Sequence, residues 1–297
     1  MTNATLLITG AAGFTGRHLI AAANKKGYRC IAVAQDQGSE VEGAHNTLVA
    51  DLLDPASLEQ TIEQAAPDYI VHLAAISFVA HGNTAEIYQV NQLGTINLLN
   101  AVQKCAPGIK KVLIASSANI YGNATQLPIT ETTSPAPVNH YGMSKVTMEL
   151  ATRLYADLPI VMSRPFNYTG CGQSPNFLIP KIVNAFKARQ ATIELGNLDV
   201  ARDFSDVRDL VTAYLRLLEV DNAAPVYNIC SGTPTSLLSI IEMLNSLAGY
   251  EIEVSVNPDF VRSDEIKTLY GSPSLLESVI GDYRAHALGD TLSWMLE

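Results

Sequence analysis

Short apolar runs alternate with helical patterns from the first residues onward. Residues Thr5–Thr9 (TLLIT), Arg29–Ala34 (RCIAVA), 46–50 (NTLVA), 69–73 (YIVHL), Lys111–Ala115 (KVLIA) and 159–163 (PIVMS) are apolar almost throughout. Near-continuous apolar runs mark parallel strands that are covered on both faces. Helical patterns fall between them. One spans Gly13 to Gly27, and a second begins at Asp54-Pro55, with Asp as N-cap and Pro at the first helical position. Two more cover 84–105 and 141–157. Strand and helix in alternation, joined by right-handed crossovers, predict an α/β fold with a doubly wound parallel sheet. After Arg164 the pattern loosens, and residues 166–180 are rich in Gly, Pro, Asn and Ser, as in a covering loop. Helices at 177–190, 206–220 and 236–249 then alternate with short strands at 191–195, 226–230 and 251–256. This predicts a smaller C-terminal lobe interleaved with the last strands of the sheet.

Composition narrows the picture. The 297 residues are 47% hydrophobic and only 16% charged, with a mean hydropathy of +0.14, enough to build a sizeable core. Nineteen basic and 29 acidic residues give a net charge of −10. Such a surface repels phosphate backbones, and no run of five Lys or Arg offsets it, so no nucleic-acid partner is expected. The longest apolar stretch, 69–80, carries His72 and Ser77 and is shorter than the roughly 18–20 residues of a membrane span. The N-terminus leads straight into a strand without the pattern of a secretory signal. The expectation is a cytoplasmic protein with no membrane partner. Cys30, Cys105, Cys171 and Cys230 are scattered and form no CxxC pair, so neither a metal site nor a disulfide framework is indicated.

The first candidate chemistry lies between the first strand and the first helix. Thr9-Gly10-Ala11-Ala12-Gly13-Phe14-Thr15-Gly16 places Gly10 for a tight turn, Gly13 for close backbone approach to a diphosphate, and Gly16 for close helix–sheet packing. A diphosphate would sit on the helix N-terminus, where N–H groups and the positive dipole end converge. The spacing is GxxGxxG, and three glycines in such a turn can also be purely structural. Asp51, after the third strand, fits an adenine contact or a neighbour of the next helix cap. Cofactor choice depends on the end of the second strand, where NAD sites place a carboxylate on the ribose. Ala34 stands there, followed by Gln35 and Asp36. The missing carboxylate removes repulsion against a 2′-phosphate, so NADP is expected, with NAD possible through Asp36.

The second candidate is Tyr141-Gly142-Met143-Ser144-Lys145, which sets a phenol and an ammonium one helical turn apart. A phenol with an ordinary pKa near 10 is a poor acid–base group at neutral pH, and a nearby cation favours its phenolate. The pair is then a proton donor for a carbonyl oxygen. Ser116-Ser117-Ala118-Asn119-Ile120-Tyr121-Gly122 leaves the fifth strand at its carboxyl end, where ligands of open α/β sheets bind. Ser117 could hydrogen-bond the same oxygen, or simply cap a turn.

Together these segments carry a resemblance. TGAAGFTG (9–16), DLLD (51–54), HLAA (72–75), VNQLGT (90–95), SSANIYG (116–122), YGMSK (141–145), RPFN (164–167) and RDFSDV (202–207) keep their order over nearly the whole chain. The protein resembles the extended short-chain dehydrogenases/reductases that act on nucleotide sugars. RPFNYTGCGQS (164–174), GNLDVARDFSDVRD (196–209), YNICSG (227–232) and the R-S-D-E…GS of 262–272 look most like the branch that reduces the C4 ketone of a GDP-linked 4-keto-6-deoxyhexose. The resemblance implies a Rossmann-type sheet in a dinucleotide-binding domain over 1–165 and a mainly substrate-binding lobe over 166–297.

It also implies residue roles. Ser117, Tyr141 and Lys145 would be catalytic, Tyr141 as proton donor to the C4 oxygen, Lys145 on the nicotinamide ribose and Ser117 on the keto oxygen. NADP would contact Gly10, Gly13, Phe14, Thr15 and Gly16 in the turn, then Gln35, Asp51 and Leu52, and Leu73, Ala74 and Ala75, besides Tyr141 and Lys145. Asn167, Asn176, Arg202, Arg262 and Glu265 would bind the nucleotide sugar, the two arginines clamping its diphosphate. Arg202 could instead form an ion pair with Asp203 or Asp206. Asn91 would lie on the active-site floor, or satisfy a helix bend beside Gly94. Family members dimerise through the two helices that correspond to 84–105 and 141–157, so a homodimer is expected.

Three chemistries share such a scaffold. Family 4,6-dehydratases carry Asp-Glu directly after the Ser/Thr, where this chain has Ala118 and Asn119, neither able to transfer protons. A 4-epimerase with retained NAD stays open on the SSANIYG loop. Family epimerases carry the second-strand carboxylate that Ala34 lacks. The expected activity is NAD(P)H-dependent reduction of the C4 ketone. The alternative of another class is a non-catalytic NADP-sensing protein, a class that typically loses the Tyr or the Lys.

Overall fold

The computed structural model describes residues 3–36, 38, 40–77, 82–220, 224–261 and 267–297. The first half of the chain runs β1 (Thr5–Thr9), α1 (Phe14–Lys26), β2 (Arg29–Ala34), β3 (Asn46–Val49), α2 (Pro55–Ala65), β4 (Tyr69–His72), α3 (Thr84–Tyr88), α4 (Gly94–Cys105), β5 (Lys111–Ala115), α5 (His140–Thr152) and β6 (Ile160–Pro165). The second half adds β7 (Asn167–Thr169), α6 (Leu178–Lys187), β8 (Thr192–Leu195), β9 (Ala201–Asp206), α7 (Val207–Glu219) and β10 (Val226–Ile229). β11 (Pro234–Ser236), α8 (Leu237–Ala248), β12 (Glu253–Val256), β13 (Thr268–Leu269), α9 (Ser274–Ile280) and α10 (Leu288–Leu296) complete it. Two compact units emerge, each built from several stretches. One comprises Met1–Gly122, Ser134–Arg164 and Val211–Tyr227, the other Asn123–Thr133, Pro165–Leu210 and Asn228–Glu297.

The first unit is organised by a seven-stranded parallel sheet in the order β10-β6-β5-β4-β1-β2-β3. It is the doubly wound, Rossmann-type arrangement that the apolar runs predict. β1 pairs with β2 on one side and β4 on the other, so the strand order reverses between β1 and β4, where such sheets open a crevice for ligands. Leu7, Ile31, Ile70, Val112 and Ile114 from the strands pack with Leu58, Leu98, Leu99, Val102 and Met148 from the helices in one core. α2 begins where the sequence places it, with the Asp54 carboxylate accepting from Ala56 N and Ser57 N at 3.0 and 3.4 Å. β5 starts on a buried lysine, Lys111, whose ammonium donates to the carbonyls of Leu217 and Val220.

Two helices differ from the periodicity. The 84–105 segment contains one π turn, Gln89–Leu93, between α3 and α4. The 141–157 segment ends at Thr152, because Tyr155 turns inward and its hydroxyl donates to Asn100 Oδ1 at 2.7 Å.

In the second unit β9 is central, antiparallel to β11 and parallel to β7 and β13, while β8 and β12 form a separate parallel pair. Its core gathers Ile182, Val183, Phe186, Phe204, Ile240, Leu244 and Leu292. The covering loop expected over 166–180 contains β7. β9 carries a fully buried Asp203 whose carboxylate accepts from the backbone N–H groups of Ser231 (2.6 Å), Gly232 (2.9 Å) and Gly271 (3.4 Å). All four cysteines are free, and among the described residues no helix is long and apolar enough to cross a membrane.

Asp203→Ala removes the acceptor for three N–H groups at once. Unfilled buried donors cost about 1–3 kcal/mol each when unrelieved, so the variant should lose roughly 3 kcal/mol of stability, read as a lower urea midpoint.

Candidate active site

The glycine turn is constrained at two of its three glycines. Gly10 has φ +67°, and a Cβ there would stand 2.7 Å from Ala74 N. A Cβ on Gly16 would strike the backbone of Gly10 and Ala11, 2.6 Å from Ala11 Cα. These contacts press the start of α1 against the ends of β1 and β4. Gly13 is the N-cap of α1 and offers no side chain to cover that end. A helix N-terminus flanked by glycine backbone suits a diphosphate, so the residues present fit a dinucleotide. Ala34 is the last residue of β2 and lies opposite Val49, which leaves no carboxylate at the strand end. Gln35 follows on the surface. Asp51 is exposed and accepts from Leu53 N; Asp54 takes the cap role. Leu52 packs close to α4, where a Cβ on Gly94 would lie 2.9 Å from Leu52 Cβ. Leu73, Ala74 and Ala75 follow β4 directly.

A chain of hydrogen bonds joins these strand ends to the third helical segment. Ala74 N donates to Thr9 Oγ1 (3.3 Å), and Thr9 Oγ1 meets His72 Nδ1 (2.7 Å). His72 Nε2 meets Thr95 Oγ1 (2.9 Å), whose proton goes to the Asn91 carbonyl (2.8 Å). Because Thr95 spends its proton on Asn91, the imidazole donates from Nε2, and a neutral ring then accepts from Thr9 at Nδ1. That assignment is the neutral tautomer. Burial and then the positive charge of Lys145 hold the His72 pKa down to about 3, which agrees. Asn91, fully buried in the π turn, continues the chain. Its amide donates to Ile76 O and Ser144 Oγ, both at 3.0 Å, and its oxygen accepts from Ile76 N at 2.8 Å. Asn91 therefore fixes the segment after β4 against α5.

α5 brings the remaining chemistry together. Asn139 caps it by accepting from Gly142 N at 2.8 Å. Tyr141 and Lys145 are both buried, one turn apart. Lys145 Nζ donates to the carbonyl of Ala115, the last residue of β5, at 2.8 Å. A Cβ on Gly142 would stand 2.7 Å from Asn119 O, so this glycine lets the helix start lie directly on the turn that follows Ser117. Ser117 is buried and caps that turn, its oxygen accepting from Asn119 N at 3.2 Å. Lys145 thus reaches the carboxyl end of β5, and the helix start that carries Tyr141 lies on the turn that follows Ser117. Burial pushes the Lys145 ammonium down to about 8, against the opposing pull of Glu149.

Glu149 was not singled out by sequence reasoning. It forms a buried ion pair with Arg164, Nη2 to Oε2 at 2.6 Å and Nε to Oε1 at 3.0 Å, and accepts from Ser116 Oγ at 2.5 Å. Arg164 also donates to Tyr121 OH at 2.9 Å. One carboxylate thus organises both ends of the Ser116–Tyr121 segment. Breaking such a pair by removing one partner costs about 3–5 kcal/mol. Its position one turn beyond Lys145 on a buried face was the available signal.

In the second unit, Asn167 opens β7 and is exposed, and Asn176 is exposed in the following loop. Arg202 Nη1 donates to the carbonyls of Ala201 and Lys267. Asp203 is held by backbone amides, and Asp206 pairs with Arg208 at 2.7 Å. Arg262 and Glu265 lie outside the described residues.

Residues 6–230 match the NAD dependent epimerase/dehydratase family. The chain belongs to that family. It is 40% identical over 281 residues, 94% of this chain and 92% of the relative, to GDP-6-deoxy-D-talose 4-dehydrogenase of Aggregatibacter actinomycetemcomitans. It is 35% identical over 289 residues, 93% of this chain and 90% of the relative, to GDP-6-deoxy-D-mannose reductase of Pseudomonas aeruginosa. The structure of RMD from Pseudomonas aeruginosa complexed with NADPH superposes with a TM-score of 0.85 at 31% identity, covering 99% of this chain and 98% of that one.

The neutral His72 has a measurable consequence. Its folded pKa lies below the unfolded value near 6.5, so the unfolded state binds one proton more between about pH 6.5 and 3. Stability contributed by this site is complete above pH 6.5 and falls by up to about 1.4 kcal/mol per pH unit as pH drops through that window. His72→Gln, which can bond both threonines without titrating, should flatten the slope of unfolding free energy against pH by about that amount.

Proposed function

We propose that the protein is an NADPH-dependent ketoreductase acting at C4 of a GDP-linked 4-keto-6-deoxyhexose. The observation that supports this reading is Lys145 on the carbonyl that ends β5, with the start of α5 packed on the turn of Ser117 and no proton-transferring side chain at Ala118 or Asn119. The two relatives' names support the substrate class. GDP-6-deoxy-D-talose and GDP-6-deoxy-D-mannose, which is GDP-D-rhamnose, differ only in configuration at C4, so C4 of a GDP-6-deoxyhexose is what they share. The strand end at Ala34, without a carboxylate, and the NADPH in the Pseudomonas aeruginosa structure both favour the phosphorylated cofactor; NAD remains the second choice through Asp36.

Gly10, Gly13 and Gly16 would hold the diphosphate of NADPH, which when bound would supply a hydride for the C4 carbon. Tyr141 gives its phenolic proton to the C4 oxygen, which completes the secondary alcohol. The Lys145 ammonium stabilises the phenolate left behind. Ser117 hydrogen-bonds the same oxygen as negative charge develops there. Asn167, Asn176, Arg202, Arg262 and Glu265 are assigned to the nucleotide sugar, with the arginine guanidinium groups matched to its diphosphate.

Mixing the protein with NADPH and GDP-4-keto-6-deoxymannose should consume NADPH, with proton NMR of the product reading rhamno or talo configuration. No consumption at high protein concentration would sink the reading, and NADPH binding without turnover would restore the sensor alternative. Tyr141→Phe should lower kcat by about 10²–10⁴-fold with KM nearly unchanged, because the hydroxyl acts as charge develops. As pH rises through about 8, Lys145 loses its proton, so the wild-type rate should fall there.

We also infer a homodimer through α3, α4 and α5. Met143, Leu150 and Leu154 form an exposed stripe along and just beyond α5, Leu154 being 84% exposed, and Leu93 is exposed between α3 and α4. Leu150→Glu combined with Leu154→Glu should halve the mass measured by light scattering. A wild-type monomer would remove the inference.

A further inference from the structure

Ser117 receives two hydrogen bonds from the same residue. Asn119 N and Asn119 Nδ2 both stand 3.2 Å from Ser117 Oγ. A serine hydroxyl has one proton and two acceptor positions. With both acceptor positions filled by N–H donors, the hydroxyl's own proton has no role left except outward donation. We propose that Asn119 is a positioning residue, which, by donating to the Ser117 oxygen, commits the Ser117 proton to the substrate's C4 oxygen. This rests on the ketoreductase reading above.

The match to the chemistry is direct. A ketone oxygen accepts and cannot donate, so it needs a partner whose proton is fixed toward it, and a hydroxyl free to rotate meets that need only part of the time. Pre-oriented donors aimed at an oxygen that gains charge are among the larger contributions to catalysis, because no reorganisation is required as the reaction proceeds. The second position after Ser117 therefore has two separable properties. An amide there cannot exchange protons with the sugar, which excludes the dehydratase reaction, and it can present N–H to the serine, which a carboxylate cannot. The close approach of Gly142 to Asn119 O fixes the backbone of this turn against the helix that carries Tyr141, so the two donors to the C4 oxygen are set by one contact.

Asn119→Asp tests the assignment with almost no change of shape. The carboxylate only accepts, so it draws the Ser117 proton to itself and away from the ketone, while the backbone bond from residue 119 survives. The expected result is a fall in kcat of roughly 10²-fold, the size found when one donor to a developing oxyanion is lost. KM and NADPH affinity should stay near wild type. Ser117→Ala should show a similar fall, and combining it with Asn119→Asp should bring no further loss. Asn119→Ala leaves the backbone donor alone on the serine oxygen, so it should lose about tenfold or less, again only when Ser117 is present. If Asn119→Asp keeps wild-type kcat while Ser117→Ala does not, or if its loss adds in full to that of Ser117→Ala, the role is overturned. Should Asn119→Asp fail to fold, Asn119→Ala with and without Ser117→Ala decides by the same comparison. Absence of turnover in the wild-type protein overturns the ketoreductase reading and this role with it, whereas wild-type turnover with an indifferent Asn119→Asp overturns the role alone.

Discussion

An uncharged imidazole in a dry interior is the constraint around which the first unit is arranged. His72 ends β4 with a threonine hydroxyl on each ring nitrogen. Those two hydroxyls belong to the strand that opens the glycine turn and to the helix that carries Asn91. Burial, followed by the positive charge of Lys145, keeps the ring neutral, so one ring nitrogen donates and the other accepts. Through Thr95 and Asn91 the same chain reaches Ser144, beside Lys145 on α5. The glycine turn and α5 are thereby set against each other by directional bonds rather than by apolar contact alone, and directional bonds fix angles as well as distances.

The second constraint is electrostatic. Lys145 is buried and would shed its proton more readily than an ordinary lysine, and Glu149, one turn further along α5, works against that. Glu149 is itself neutralised by Arg164, so the interior holds a lysine, a glutamate and an arginine that are each tolerable only in the presence of the others. Isolated burial of any one of them would be strongly unfavourable. The same three side chains bond Ala115, Ser116 and Tyr121 on either side of the turn that carries Ser117.

Much of this was readable from residue order alone. β1, β2, β4, β5 and β6 announce themselves as apolar runs because both faces are covered, whereas β3 at the sheet edge leaves Asn46 and Val49 exposed; Asp54-Pro55 and the glycine turn fix where two helices begin. β9 was invisible to that reasoning. Its buried positions include Asp203, Ser205 and Asp206; the groups that make Asp203 tolerable lie distant in sequence, at 231, 232 and 271, while Asp206 is met by Arg208 nearby and by Thr291 far along the chain. Hydropathy records the cost of burying such residues and not the partners that offset it. The end of α5 was missed for a similar reason, since Tyr155 leaves the helix to meet Asn100 across the unit. Ser117, Tyr141 and Lys145 were singled out because the motifs that carry them are local in sequence, whereas Glu149 was not, because its partners Arg164 and Ser116 become visible only in the fold.

The ammonium of Lys111 ends on the carbonyls of Leu217 and Val220, more than a hundred residues downstream. That stretch is part of the same unit as β1 to β5, although the chain runs through Asn123–Thr133 and Pro165–Leu210 of the other unit before returning to it. Lys111 therefore meets the carbonyls that make its burial tolerable only when the 211–227 segment is in place, so the first unit is closed by chain that lies beyond much of the second.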